Sequence, residues 1–256
     1  MENENLNLIK RHGLRFWEKS SDKDGEYYVV AKELIENLFF DLSKVSTKFS
    51  NEDYACDMPY VFSERRIDSV LLPALAKLCD SIVLTEMPTQ RCCSNRHFNV
   101  EQSNGRIDYW CVYKGFSFVI ELKHSFDCFT TSKTGVRRVT ARWDKMNEQL
   151  ESVKADIKQY GDKTKGIVRI GLHMITSYTG KCPSKQLVTQ FRQSVPDTFE
   201  RFSKDFGKRF PSLRPDLILC WNIPEKIVLD GGDCTYPGLW MLAKIFPPIL
   251  HRGHIK

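Results

Sequence analysis

Gly105-Arg106-Ile107-Asp108-Tyr109-Trp110-Cys111-Val112-Tyr113-Lys114-Gly115-Phe116-Ser117-Phe118-Val119-Ile120-Glu121-Leu122-Lys123 is the stretch that decides how this chain is read. Two runs rich in aromatic and β-branched residues flank Lys114-Gly115, which is the signature of a tight hairpin with glycine at its second turn position. Side chains alternate between faces along a strand. Arg106, Asp108, Trp110 and Val112 are therefore expected on one face and Ile107, Tyr109, Cys111 and Tyr113 on the other. On the returning strand Ser117, Val119, Glu121 and Lys123 share a face opposite Phe116, Phe118, Ile120 and Leu122. A two-residue turn pairs Tyr113 with Phe116, which sets Asp108 opposite Glu121 and Arg106 opposite Lys123.

That register has a chemical consequence. Opposed residues have Cβ atoms about 4.5–5.5 Å apart. Two carboxylates ~5 Å apart repel by about 3 kcal/mol at an effective dielectric near 20. A divalent cation between them reverses the sign, and magnesium suits the site because it needs few protein oxygens. Lys123 lies two residues beyond Glu121 on the same face, where it can hold and polarise a water for attack on a phosphodiester.

The residues resemble the PD-(D/E)XK, or restriction-endonuclease-like, nuclease superfamily, whose core is an Asp at the end of one strand and Glu-x-Lys on its hairpin partner. Asp108 matches the first acid and Glu121-Leu122-Lys123 the second element; Ile107 stands where the family has proline. The resemblance implies that Asp108, Glu121 and the backbone carbonyl of Leu122 ligate Mg2+, with Mn2+ as a substitute, and that Lys123 positions the attacking water. The family often adds an acid from the preceding helix. Glu64 is the first choice because it lies near the apolar stripe of Ile67, Leu71 and Leu75; Asp68 and Glu86 follow. The Q-x-x-x-Y element of the RecB-like branch is missing after Lys123, and no cysteine cluster fits an iron–sulfur site. The resemblance covers about residues 63–176.

Outward from the hairpin, periodicity predicts a helix over 29–45 and another after Ser63, with Pro73 kinking it or starting a new one. Strands are expected at Ser81 to Thr85, Ile167 to Thr176, Asp216 to Trp221 and Gly238 to Ile245. An amphipathic helix is expected from about Ala141 to Tyr160, with Trp143 in its apolar stripe. Leu187, Phe191, Val195, Phe199, Phe202 and Phe206 suggest two short helices meeting near Pro196. The expected fold class is therefore α/β: a restriction-endonuclease-like mixed β-sheet flanked by helices. We expect one nuclease-like domain over 1–256, its core at about 63–176 plus strands near 216–245. An N-terminal extension over 1–62, with an extra helix, and a helical insertion at about 184–210 complete it.

Composition narrows the function. The 256 residues carry 38 Lys+Arg against 32 Asp+Glu, a net charge of +6, with 41% hydrophobic residues, which excludes disorder and fibres. No apolar run reaches the ~18 residues of a membrane span, and the acidic, polar Met1 to Asn5 is no signal peptide, so a cytoplasmic protein is expected. The nine cysteines show no C-x-x-C and read as free thiols. Cys92-Cys93 with His97, and His251 with His254, lack metal-site spacing. Lys133, Arg137, Arg138, Arg142 and Lys145 form a basic run entering the helix beyond the acids, where a phosphate backbone would pass; a second run spans Arg192 to Arg214.

The expected activity is Mg-dependent phosphodiester hydrolysis by a DNA endonuclease. The alternatives are a catalytically inactive nucleic-acid-binding or assembly protein on the same fold and a nuclease acting on RNA. The expected partner is nucleic acid, with a homodimer possible if both strands of a duplex are cut. No Walker loop is present, so any ATP-driven step belongs to a partner.

Overall fold

Strands that carry apolar residues on both faces need helices above and below, and this chain supplies them. The computed structural model describes residues 9–11, 14–18, 25–51, 58–61, 64–93, 101–130, 136–153, 163–208, 210–229 and 233–249. In chain order the elements are β1 (Ile9–Arg11), β2 (Leu14–Glu18), α1 (Glu26–Asn51), α2 (Glu64–Leu78), β3 (Val83–Cys93), β4 (Glu101–Tyr113) and β5 (Phe116–Cys128). Then come α3 (Val136–Ser152), β6 (Ile167–Thr179), α4 (Lys185–Asp205), β7 (Leu217–Asn222), α5 (Glu225–Leu229) and β8 (Thr235–Ile249). The strands form one eight-stranded sheet in the order β1-β2-β7-β8-β6-β5-β4-β3. β5 and β6, joined through α3, run parallel, and every other neighbouring pair is antiparallel. The protein is thus a mixed α/β sheet covered by helices on both faces.

One face is covered by α1 and α2. Leu34, Ile35, Leu38, Phe39 and Leu42 of α1 join Ile67, Val70, Leu71, Ala74 and Leu75 of α2 against Phe118, Ile120, Leu122, Ile170, Leu172 and Met174 of the sheet. The other face is covered by α3 and α4, where Trp143, Met146, Leu150, Phe191, Val195, Phe199 and Phe202 pack on Val119, Ile175, Ile218, Trp240 and Leu242. Burial of this extent, at about 25 cal/mol per Å² of apolar surface, is the main force holding the layers together.

Both helices with an interior proline continue through it: Pro73 starts no second helix, and the two short helices expected to meet near Pro196 are one. Pro73 lies within α2 and Pro196 within the single helix α4. Each ring is on the exposed side, and the buried stripe keeps its phase across it, from Ile67, Val70 and Leu71 to Ala74 and Leu75 in α2. Packing of that stripe outweighs the about 3 kcal/mol that an interior proline costs. Ser184 starts α4 by accepting a hydrogen bond from Leu187 N–H at 3.3 Å. The strands β3, β4 and β5 extend several residues beyond the stretches expected from periodicity, and β1 and β2 were not expected at all. Ser63 and the residues proposed to continue α3 to Tyr160 lie outside the described residues.

Two glycines set how closely the helices approach. A Cβ on Gly171 of β6 would meet Met146 Cε at 2.6 Å and Leu150 Cδ1 at 3.2 Å, so α3 settles directly above it. A Cβ on Gly238 of β8 would overlap the ring of Phe191, a fully buried residue of α4. Gly238→Ala should therefore cost about 1–3 kcal/mol through overpacking. Urea unfolding checks this; a midpoint equal to that of the wild type would show that Phe191 has room to move.

Candidate active site

The hairpin turn has the geometry its residues require. Lys114 (φ 46) and Gly115 (φ 82) are both left-handed, as a type I′ turn demands. Glu33 of α1 fixes it, accepting from Lys114 Nζ at 2.6 Å and from the Tyr113 hydroxyl at 3.0 Å. Pairing starts at Tyr113–Phe116, as expected, and continues to Tyr109–Ile120. There the ladder stops. Beyond it β4 pairs with β3 alone and β5 with β6 alone, so the sheet forks at Asp108 and Glu121. Arg106 is therefore not opposite Lys123; it pairs with Pro88 of β3 and reaches Glu86 Oε2 at 3.2 Å.

The fork coincides with a roll of the β3–β4 ribbon. Tyr109 and Cys111 belong to the core under α1 and α2, whereas Ile107 and Met87 belong to the core under α3 and α4. Ile107 has thus left the face assigned to it by simple alternation. The change happens at Glu86, across from Asp108, whose backbone is left-handed (φ 53). Strict alternation assumes an extended backbone, and a left-handed residue breaks it.

Opening a ladder strands backbone groups, and each must find a partner. Four side chains fill the fork along β5. Asp108 Oδ2 accepts from Leu122 N–H at 2.6 Å, and Glu64 Oε2 accepts from His124 N–H at 3.1 Å. Lys123 Nζ donates to the Leu122 carbonyl at 2.9 Å, and Arg142 donates to the His124 carbonyl. Asp108 comes from β4, Glu64 from the first residue of α2, and Arg142 from α3, so the site draws on both layers of helices.

The Lys123 ammonium marks where the acids converge. It lies 2.9 Å from Glu121 Oε1 and 3.9 Å from Asp108 Oδ2. Glu121 is 3% exposed, while the Asp108 side chain retains 28% exposure toward solvent. Burial pushes the Asp108 carboxyl above the usual range, against the Leu122 N–H and the Lys123 charge that favour its ionised form. Burial likewise raises Glu64, with Lys123 opposing it and the neighbouring Asp108 charge adding to it.

The donor set is oxygen only: two carboxylates and the Leu122 carbonyl, which points into the fork. That composition fits magnesium, a hard cation that keeps several waters. Among the described residues no three His, Cys, Asp or Glu side chains cluster closely enough to hold a metal by themselves. Cys92 and Cys93 lie in β3 without described side chains, and His97, His251 and His254 lie outside the described residues.

Asp68 accepts from the Tyr109 hydroxyl beneath α2, and Glu86, exposed, pairs with Arg106; both lie near enough to Asp108 for their charges to raise its pKa. Lys133 lies outside the described residues, and the side chains of Arg137 and Arg138, on α3, do as well. Lys145 is exposed on α3. Arg142 is exposed on α3 and donates to the His124 carbonyl at the β5 edge. Trp143 is fully buried, its indole N–H donating to the Leu213 carbonyl at 2.8 Å.

His124 was not foreseen. Its Nε2 lies 2.9 Å from Thr176 Oγ1, whose proton goes to the Tyr60 carbonyl at 2.6 Å, so Nε2 carries the ring proton. Burial, with Arg142 nearby, pushes its pKa down to about 4. The neutral ring ties β5 to β6 immediately after Lys123. A histidine following the lysine in an otherwise apolar strand was the available signal, but its partner is 52 residues away.

No family model matches the chain, and no curated protein does. Among solved structures, that of SSO0001 aligns over 57% of this chain and 71% of that one, at 18% identity and a TM-score of 0.22, too distant to bear on fold or function.

Proposed function

We propose that this chain is a magnesium-dependent nuclease with the restriction-endonuclease-like fold, cutting DNA internally. The observation that carries the reading is the convergence of Asp108, Glu121, the Leu122 carbonyl and the Lys123 ammonium in a solvent-facing fork of the sheet. Asp108, Glu121 and the Leu122 carbonyl would hold magnesium, which when bound lowers the pKa of water and stabilises charge on the phosphoryl oxygens. Lys123 is held by Glu121 and the Leu122 carbonyl, which leaves its remaining N–H to orient an attacking water. Water oxygen bonds to phosphorus, the bond to the 3′-oxygen breaks, and that oxygen departs with a proton, leaving a 5′-phosphate end. Glu64 and Arg142 keep the β5 edge open by satisfying His124. Exposed Lys145, on α3, lies in the basic run expected to meet the phosphate backbone.

Incubation of the purified protein with supercoiled plasmid and MgCl2 should give nicked and linear products, and chelation should stop the reaction. Cleavage of RNA alone would move the substrate to RNA. Plasmid, single-stranded DNA and RNA all left intact with Mg2+ and with Mn2+ would remove the nuclease reading. Among the described residues no helix is long and apolar enough to cross a membrane.

A further inference from the structure

We propose that Cys79 and Cys111 form a reversible disulfide site, oxidised by hydroperoxides, which fastens the end of α2 to β4. Both cysteines are buried in the core that α1 and α2 cover, and their thiols are hydrogen-bonded to each other. The turn between α2 and β3 brings them together. Cys79 follows the last residue of α2, and its N–H still reaches the Leu75 carbonyl at 2.9 Å. Asp80 (φ 48) and Ser81 (φ 64) then reverse the chain, and Ile82 N–H returns to the Cys79 carbonyl at 2.8 Å. The next residue, Val83, stands opposite Cys111 in the β3–β4 ladder. Backbone bonds thus hold Cys79 beside Cys111. Two thiols in contact already point toward each other, which is what a disulfide requires of its cysteines.

The pair is asymmetric. The Cys111 S–H donates to the Cys79 sulfur, which holds the Cys79 thiol below its ordinary range while burial opposes it; Cys111 is pushed up. Cys79 is therefore the sulfur that attacks. It is also the one nearer water, since Asp80, Ser81 and Ile82 beside it are all exposed. Left-handed backbone is disfavoured at residues other than glycine, which lowers the cost of opening this turn to a small oxidant. With hydrogen peroxide, the Cys79 thiolate bonds to one oxygen and the O–O bond breaks. Cys79 becomes a sulfenic acid, and the departing hydroxide takes up a proton as water. The Cys111 sulfur then bonds to that of Cys79, the S–O bond breaks, and the hydroxyl leaves with the Cys111 proton as a second water. Two thiols are oxidised by two electrons and one peroxide is reduced to two waters.

The test uses the full chain and hydrogen peroxide. After treatment, free thiols are blocked with N-ethylmaleimide, and the protein is digested and mapped by mass spectrometry without reductant. The Cys79 and Cys111 peptides should be recovered linked, and dithiothreitol should separate them. The linked protein should melt roughly 5–15 °C above the reduced one, because the bond closes a long loop of the unfolded chain. The same treatment should give no rise in Cys111→Ala, or in Cys79→Ala if the first variant does not fold. Cys182, which is exposed, reports that the oxidant has acted. Oxidation of Cys182 with Cys79 and Cys111 recovered blocked and unlinked would overturn the site, as would either of them linked to a different cysteine. A linked protein whose midpoint does not rise would overturn the fastening. Nucleic-acid cleavage enters none of these readings, so the site and the nuclease assignment stand or fall separately.

Discussion

Asp108→Asn should abolish Mg2+-dependent cleavage and, without added metal, raise the thermal midpoint. The two effects have one cause. Asn retains an oxygen that can accept from Leu122 N–H, the bond that closes the fork at 2.6 Å, so the backbone arrangement survives. What disappears is a negative charge that burial disfavours. Because the Asp108 pKa is raised in the folded state, its contribution to stability is greatest below the ordinary aspartate range and is lost as pH rises through the raised value. At neutral pH the wild type bears that cost in full and the variant does not. The midpoint difference should therefore vanish at acid pH, below the ordinary aspartate range. Full cleavage by the variant would defeat the assignment of Asp108. A midpoint that falls at neutral pH would show that the Lys123 attraction outweighs burial. Lys123→Met is the companion: it removes the group that orients the nucleophile, and should slow cleavage by about 100- to 10,000-fold.

Much of this site was legible because a two-residue turn leaves little freedom. Lys114-Gly115 fixes the register, the register carries through to Tyr109–Ile120, and Asp108, Glu121 and Lys123 converge. Glu64 was legible from helical phase, since a carboxylate at the start of a buried stripe faces the sheet. What could not be read was the fork. Counting pairs assumes that a ladder continues, whereas β4 and β5 part company at Asp108 and the β3–β4 ribbon rolls at Glu86. Pro73 and Pro196 misled for a different reason: a local cost of about 3 kcal/mol is visible in sequence, and the buried stripe that overcomes it is not.

The basic runs show where charge alone is a poor guide. Arg142 reaches the His124 carbonyl, a contact the linear charge pattern could not reveal, whereas Lys204 pairs with Glu200 one turn away, at 3.3 Å, at the spacing a helix offers. Arg201 belongs to the frame through Asp127, whereas Lys145 is left exposed on α3.

Arg201→Ala should destabilise the protein by about 3–5 kcal/mol, a loss of roughly 6–20 °C in thermal midpoint for a chain of this size. Arg201 of α4 grips Asp127 of β5 with two donors, one to each oxygen, at 3.2 Å for the longer contact. The Asp127 side chain is 2% exposed and that of Arg201 24%, so truncating the arginine leaves a carboxylate buried without its charge partner. Asp127 continues the row of Glu121, Lys123 and Ser125 on one face of β5, so the pair seats α4 on the strand that carries Glu121 and Lys123. Replacing both partners, as in Asp127→Leu with Arg201→Met, removes the buried charge together with its counterion and should recover most of the loss. Urea unfolding of both variants beside the wild type measures this directly. A double variant as unstable as Arg201→Ala would show that guanidinium packing on the neighbouring Phe202 ring, 5.1 Å away, rather than charge pairing, holds α4 in place.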